Sequence, residues 1–168
     1  MELFDAIETR SSSGRLTDPG PSAEQLDRLL RAAARAPDHG RMKPWRFIVL
    51  NGADREAFAA AAAAAKRARL PDMTDEQFAA ERDKILRSPT IVVAGCAVER
   101  GNAKIPEIEQ VVAVGAAVEN LFLAAHDLGL GVMWKTGAAA YDTAVKAVVG
   151  LAPHDHIVAI LHLGTRVK

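Results

Sequence analysis

The chain has 168 residues, of which 49% are hydrophobic and 25% charged, with 21 basic and 21 acidic side chains. A single domain of this length (1–168) can bury a core without staples. Zero formal net charge excludes an overall field that would draw the protein to nucleic acid or anionic membrane.

The first ten residues place acids where a secretory leader needs cations. No run reaches the roughly 20 uninterrupted apolar residues of a membrane span. The lone Cys96 cannot form an internal disulfide, and a reduced, cytoplasmic setting is expected.

Leu3, Phe4 and Ile7 predict a short amphipathic helix over Met1–Thr9, closed by Arg10. In Arg10-Ser11-Ser12-Ser13-Gly14-Arg15, two guanidiniums flank three hydroxyls, which suits a phosphate or an ordinary Ser-rich loop. After the turn at Asp18–Pro21, Ser22 and Gln25 form a capping box, and Leu26, Leu29, Leu30 and Ala33 make that helix's buried stripe. Pro37 stops the helix, and Pro44 precedes a strand over Trp45–Leu50. The intervening loop carries Arg35, His39, Arg41 and Lys43: a cationic shelf or a solvated turn.

Asn51-Gly52 reads as a turn, and Asp54 as the cap of an alanine-rich helix broken at Leu70-Pro71-Asp72. Thr74 and Gln77 form a second capping box, opening a polar helix to about Arg87. Rich in charge and poor in large apolar groups, 54–87 reads as an outer, mobile excursion and a candidate lid. Thr90–Val98 is continuous and β-branched, hence a central strand covered on both faces. Pro106 opens a long helix over Glu107–Leu128, apolar nearly all round and so buried, in part against a second subunit. Gly129 ends it. Val132–Lys135 is a short strand, Asp142 caps a helix to Val149, and Ile157–Leu163 is the last strand. The fold class is α+β: a mixed, mainly antiparallel sheet flanked by helices, with a long buried central helix.

For metal chemistry, His154, His156 and His162 lack helical HExxH spacing and a neighbouring cysteine cluster, so no metal is expected. For nucleophilic chemistry there is no G-x-S-x-G elbow, and Cys96 reads as an inert core thiol. What remains is Arg10-Ser11-Ser12, Arg35 with His39, and Trp134-Lys135-Thr136. These are anion-binding pieces without an acid, base or nucleophile, a pattern that leaves the chemistry to a bound cofactor.

The pieces occur in an order that resembles the flavin-dependent nitroreductase family: Ile7-x-x-Arg10-x-Ser12, Arg35-Ala36-Pro37-Asp38-His39, Pro44-Trp45-x-Phe47, Lys104-x-Pro106, Leu128-Gly129, Trp134-Lys135-Thr136-Gly137 and Leu163-Gly164-Thr165. The resemblance covers nearly the whole chain. It implies a nitroreductase-like fold and a homodimer with FMN at the subunit interface. Arg10, Ser11 and Ser12 would bind the flavin from one subunit, Arg35 and His39 from across the interface, and Trp134, Lys135 and Thr136 would complete its site. Ala124, Ala125, His126, Asp127, Leu128 and Gly129 match the segment that meets the nicotinamide nucleotide. The activity implied is FMN-dependent NAD(P)H oxidoreduction, a ping-pong hydride transfer to a small-molecule acceptor such as a nitroaromatic or quinone. A flavin-binding or storage module without turnover is the alternative. Ser11 stands where the family pattern has a second Arg, and Lys135 where near relatives carry Arg.

Overall fold

The computed structural model describes residues 1–167. Within them, six α-helices, α1 (Leu3–Thr9), α2 (Ala23–Ala33), α3 (Gly52–Arg69), α4 (Asp75–Leu86), α5 (Glu107–Asp127) and α6 (Thr143–Val148), surround five strands. The strands are β1 (Leu16–Thr17), β2 (Trp45–Leu50), β3 (Thr90–Cys96), β4 (Gly131–Lys135) and β5 (His156–Arg166). β5 is the hub: it pairs with β1, β3 and β4, while β2 pairs with β3. Every one of these pairings is antiparallel, so the sheet expected to be mixed but mainly antiparallel is antiparallel in all of them. A continuous apolar strand signals cover on both faces, which an antiparallel strand meets equally when helices pack on each side.

All seven residues of β3 are buried, and their period-2 alternation sorts them into two cores. Val92, Ala94 and Cys96 join Leu29 of α2 and Val114, Val118, Leu121 and Phe122 of α5. Ile91 and Val93 join Phe58 of α3, Val145 of α6 and Ile160 of β5. The result is a helix–sheet–helix sandwich.

Local signals explain most boundaries. In the capping box of α2, the Gln25 N–H donates to Ser22 Oγ (3.1 Å) and the Ser22 N–H to Gln25 Oε1 (2.9 Å). Thr74 and Gln77 repeat it at α4, and Asp142 Oδ1 accepts from the Ala144 and Val145 N–H groups at α6. One expectation is corrected, and one strand was not foreseen. α3 begins at Gly52 behind Asn51, two residues before the expected cap Asp54, which lies in the first turn. β1 had no signature, because two residues paired to Thr165 and Arg166 are defined by that long-range contact alone. α5 is buried on its sheet-facing side, while Ile108 and Val112 stand exposed in the single chain.

By length and composition α5 is apolar enough to cross a membrane. Its Val114, Ala117, Val118, Leu121 and Ala125 are instead wholly enclosed against the sheet and α2. Within 54–87 the two helices differ. α3 buries Phe58, Ala59, Ala62, Ala63 and Ala65, whereas α4 buries no residue.

Candidate functional site

α5 is the ruler of the site. In its first turn, Glu109 Oε2 lies 2.6 Å from His39 Nδ1 and Glu107 Oε1 lies 2.5 Å from His156 Nε2. Ten residues beyond Glu109, about 15 Å along the helix, Glu119 meets the Arg10 guanidinium at 3.6 Å, and Arg10 lies 5.1 Å above the Phe122 ring. Arg10 is the C-cap of α1. Ser11 and Ser12 follow it exposed, and the Ser13 N–H donates to Val132 O (2.8 Å), laying this segment against β4. The chain therefore brings Arg10, Ser11 and Ser12 together beside β4, but holds His39 at the other end of α5. Arg35 is exposed just past the end of α2. The shelf that carries His39 is pinned by Asp38, whose Oδ2 accepts from the Lys43 N–H. Arg41 and Lys43 adopt left-handed φ values of 57° and 50°.

Strand alternation separates Trp134 from Lys135. Trp134 is 38% exposed and its Nε1–H donates to Val158 O (3.2 Å). Lys135 faces the α3 side, where with Thr136 it lines a cavity of about 480 Å³ walled by Phe58, Ile85 and Ile160. Lys66, Glu81, Lys84 and His162 complete its polar lining. A neighbouring recess of about 150 Å³ shares Lys84, Lys135 and His162 and runs to Ser13, Gly14 and Ser88.

Burial pushes the Glu81 carboxyl up, but hydrogen bonds from Lys66 (2.7 Å) and Lys84 (3.2 Å) outweigh it and hold Glu81 below the usual carboxylate value. His162 is 4% exposed. Burial first, then the Lys135 charge, pushes its pKa down to about 4, so the ring is neutral near pH 7. Its Nδ1 lies 2.6 Å from Ser88 Oγ. Lys66, Lys84 and Ser88 carried no signal in the sequence, since each belongs to a polar helix or turn whose neighbours are set by the sheet.

The Ala124–Gly129 segment has its polar groups engaged within the chain. Arg166 donates to His126 Nδ1 (2.7 Å), which leaves Nε2 to carry the proton and donate to Thr9 Oγ1 (2.9 Å). Burial, then Arg166 and Arg10, hold the His126 pKa below the ordinary value. Asp127 accepts from the Met1 amino group (2.8 Å). Ala124 and Leu128 are half-buried, Ala125 is buried, and Gly129 takes a φ of 73° at the helix stop. Cys96 is wholly buried and its pKa is pushed up to about 11, mainly by burial, so it stays a protonated thiol. Among the described residues no group of three His, Cys, Asp or Glu side chains could hold a metal.

The family model described as the Nitroreductase family matches residues 7–165. "Putative NAD(P)H nitroreductase YdjA" of Escherichia coli K12 is 38% identical over 167 residues, 98% of this chain and 88% of that protein. A Bacillus subtilis relative, "Putative NAD(P)H nitroreductase YfhC", is 30% identical over 96% of this chain and 83% of its own length. Among solved structures, a nitroreductase-like family protein from Bacillus cereus superposes with a TM-score of 0.86 at 27% identity, covering all of this chain and 87% of that one. A "putative nitroreductase in complex with FMN" from Desulfovibrio desulfuricans superposes with a TM-score of 0.76 at 25% identity, covering all of this chain and 88% of that one. The hub strand β5, the long central α5 and the ordered site pieces thus meet a match along almost the full sequence, and the chain belongs to the nitroreductase family.

Proposed function

We propose that the chain is an FMN-dependent NAD(P)H oxidoreductase that works as a cytoplasmic homodimer. One observation carries the reading: Lys135 and Thr136 line a cavity that shares Lys84, Lys135 and His162 with a recess reaching Ser13 and Gly14, the residues that directly follow Arg10, Ser11 and Ser12 in the chain. Two segments more than 120 residues apart in sequence converge there.

The residues present fit a flavin. The cavity lies within the roughly 300–1,000 Å³ range of cofactor sites and has apolar walls for a ring. Its cations would favour an electron-rich edge. Arg10 is a forked partner for a phosphate, flanked by the Ser11 and Ser12 hydroxyls. When bound, FMN would supply the two-electron chemistry, taking electrons from a nicotinamide and passing them to an oxidised small molecule such as a nitroaromatic or quinone. The chain's own residues bind and orient the cofactor.

Arg35 and His39 point to a second subunit. His39 sits about 15 Å along α5 from Arg10, in an apolar groove of about 330 Å³ lined by Pro37, Ile108, Val112 and Ala116, and Arg35 is exposed just past the end of α2. Ile108 is 66% and Val112 62% exposed, and Leu3, Phe4 and Ile7 of α1 are exposed as well. Exposed apolar groups near both ends of α5 are what an interface would cover, and a partner seated there would bring its own Arg35 and His39 to the flavin.

The test is anaerobic reduction of the purified, FMN-loaded protein, which is expected to be yellow and to bleach with NADH or NADPH. Firm FMN binding without bleaching by either would select the storage module. A colourless protein that refuses added FMN would overturn both. Size-exclusion chromatography is expected to give a dimer, and Val112→Glu to give monomers that have lost FMN.

A further inference from the structure

β5 sends its alternate residues Ile160 and His162 toward α3. A neutral imidazole there displaces an apolar side chain and costs free energy unless both nitrogens find partners. Only one does within the chain. Ser88, 2% exposed, holds Nδ1 at 2.6 Å; among the described residues Nε2 has no hydrogen-bond partner, and it is not sealed in the core but opens on the cavity, where water or a ligand can meet it. The ring lines both the 480 Å³ cavity and its neighbouring recess. Next to it on the same face, Lys135 pairs with Ile160.

Ser88 can hold the imidazole in either tautomer. Its hydroxyl donates to His162 Nδ1, leaving Nε2 as the N–H, or turns to Ile85 O at 3.5 Å, so that Nδ1–H donates to Ser88 and Nε2 becomes an acceptor. A nitrogen that can offer or accept a proton suits a heteroaromatic edge that alternates acceptors with an N–H, as the pyrimidine side of a flavin does.

Resting on the FMN reading above, we propose that Ser88 and His162 form a neutral positioning pair whose free Nε2 hydrogen-bonds the polar edge of the bound flavin ring. His162 moves no proton in turnover. It orients the ring against the cavity wall, and Ser88 acts only through it.

The test uses the full-length protein stripped of FMN and titrated with FMN, following flavin fluorescence, the visible absorption bands of the bound flavin, and the melting temperature of the apoprotein. His162→Leu is expected to weaken FMN binding about tenfold, the size of one lost hydrogen bond, and to shift the long-wavelength band. His162→Gln is expected to recover most of both. Ser88→Ala, a milder change that decides the matter if His162→Leu does not fold, is expected to weaken binding about threefold with a band shift in the same direction. FMN affinity within twofold of wild type and an unmoved band in His162→Leu, or in Ser88→Ala if His162→Leu is unfolded, would overturn the pair's role, whatever the melting temperature does. Failure of the wild-type protein to bind FMN would instead remove the flavin reading itself.

Discussion

The two faces of the sheet are built differently. Under α2 and α5, Val92, Ala94, Cys96, Val132, Ala159, Leu161 and Leu163 are apolar and closed over, with Trp134 partly exposed toward the end of β4. On the other face α3 and α6 seal Ile91, Val93, Ile157 and Ile160, but beyond them the cover passes to α4, which buries nothing. There the strand face carries His162 and Lys135, and space opens beneath. Stability is concentrated on one face and binding capacity on the other. A site needs packing left incomplete, and the incompleteness sits where the covering helix is held by polar contacts such as Lys66–Glu81 and Arg67–Asp75.

The sharpest way to break this contrast is a cavity in the closed face. Leu121 is wholly buried in α5, and Leu121→Ala is expected to cost about 2–5 kcal/mol. Ile85→Ala, a half-buried residue of α4 that packs at the rim of the α3-side core, is expected to cost under about 1 kcal/mol, because part of its side chain already meets open space. Chemical denaturation of the two variants checks the ranking, and a larger loss for Ile85→Ala would reverse the assignment of the faces.

A second expectation concerns acid. His162 titrates at about 4 in the fold against an ordinary 6.5. The unfolded chain therefore binds a proton that the folded chain refuses between those values. Stability is full above about pH 6.5 and falls toward pH 4, by up to about 3 kcal/mol from this residue. His126, also held below its ordinary value, adds to the same limb, so the measurement is the difference between wild type and His162→Leu. The variant should show the flatter pH dependence, and equal slopes would mean that His162 is not buried neutral.

How much of this was legible depends on range. Both capping boxes, Ser22–Gln25 and Thr74–Gln77, were readable because partner and cap lie three residues apart. α3 was misplaced at its start because Asn51-Gly52 is equally a turn and a helix entry, and Gly52 does take a φ of 50°. β5 extends past the expected Leu163 to Arg166 because β1 and β4 pair with its end, a fact absent from the local pattern. The site divides in the same way. Arg10, His39 and Lys135 stood out through the family resemblance. The Ser88–His162 contact spans 74 residues and needs the register of β5 to place the ring on the α3 face. His162 was visible only as a metal candidate, with nothing in the local pattern to tie it to Ser88.

Lys84 separates binding from stability. Its ion pair with Glu81 is more than half exposed on the lysine side and contributes little. Lys84→Gln is expected to move the melting temperature hardly at all while weakening FMN several-fold, through loss of a cation that lines both cavities. Equal affinity in titrations of mutant and wild type would take the ring edge away from α4.

The smallest effect bears on whether α4 is a lid. Thr74 Oγ1 accepts the Gln77 N–H at 3.2 Å, and the Gln77 side chain returns a bond to the Thr74 N–H at 3.0 Å. Removing the hydroxyl with Thr74→Ala forfeits one cap, roughly 0.5–2 kcal/mol for a helix end. In a helix locked into the core that loss would appear in global unfolding. α4 contributes no buried residue, so its opening is expected to be a local event, separate from the rest of the chain. Amide exchange should then quicken across 77–86 by about three- to tenfold, while exchange in β3 and the denaturation midpoint stay where they were. If β3 amides speed up in step with α4, the helix unfolds only with the whole domain, and the cavity beneath it cannot be gated by α4 moving alone.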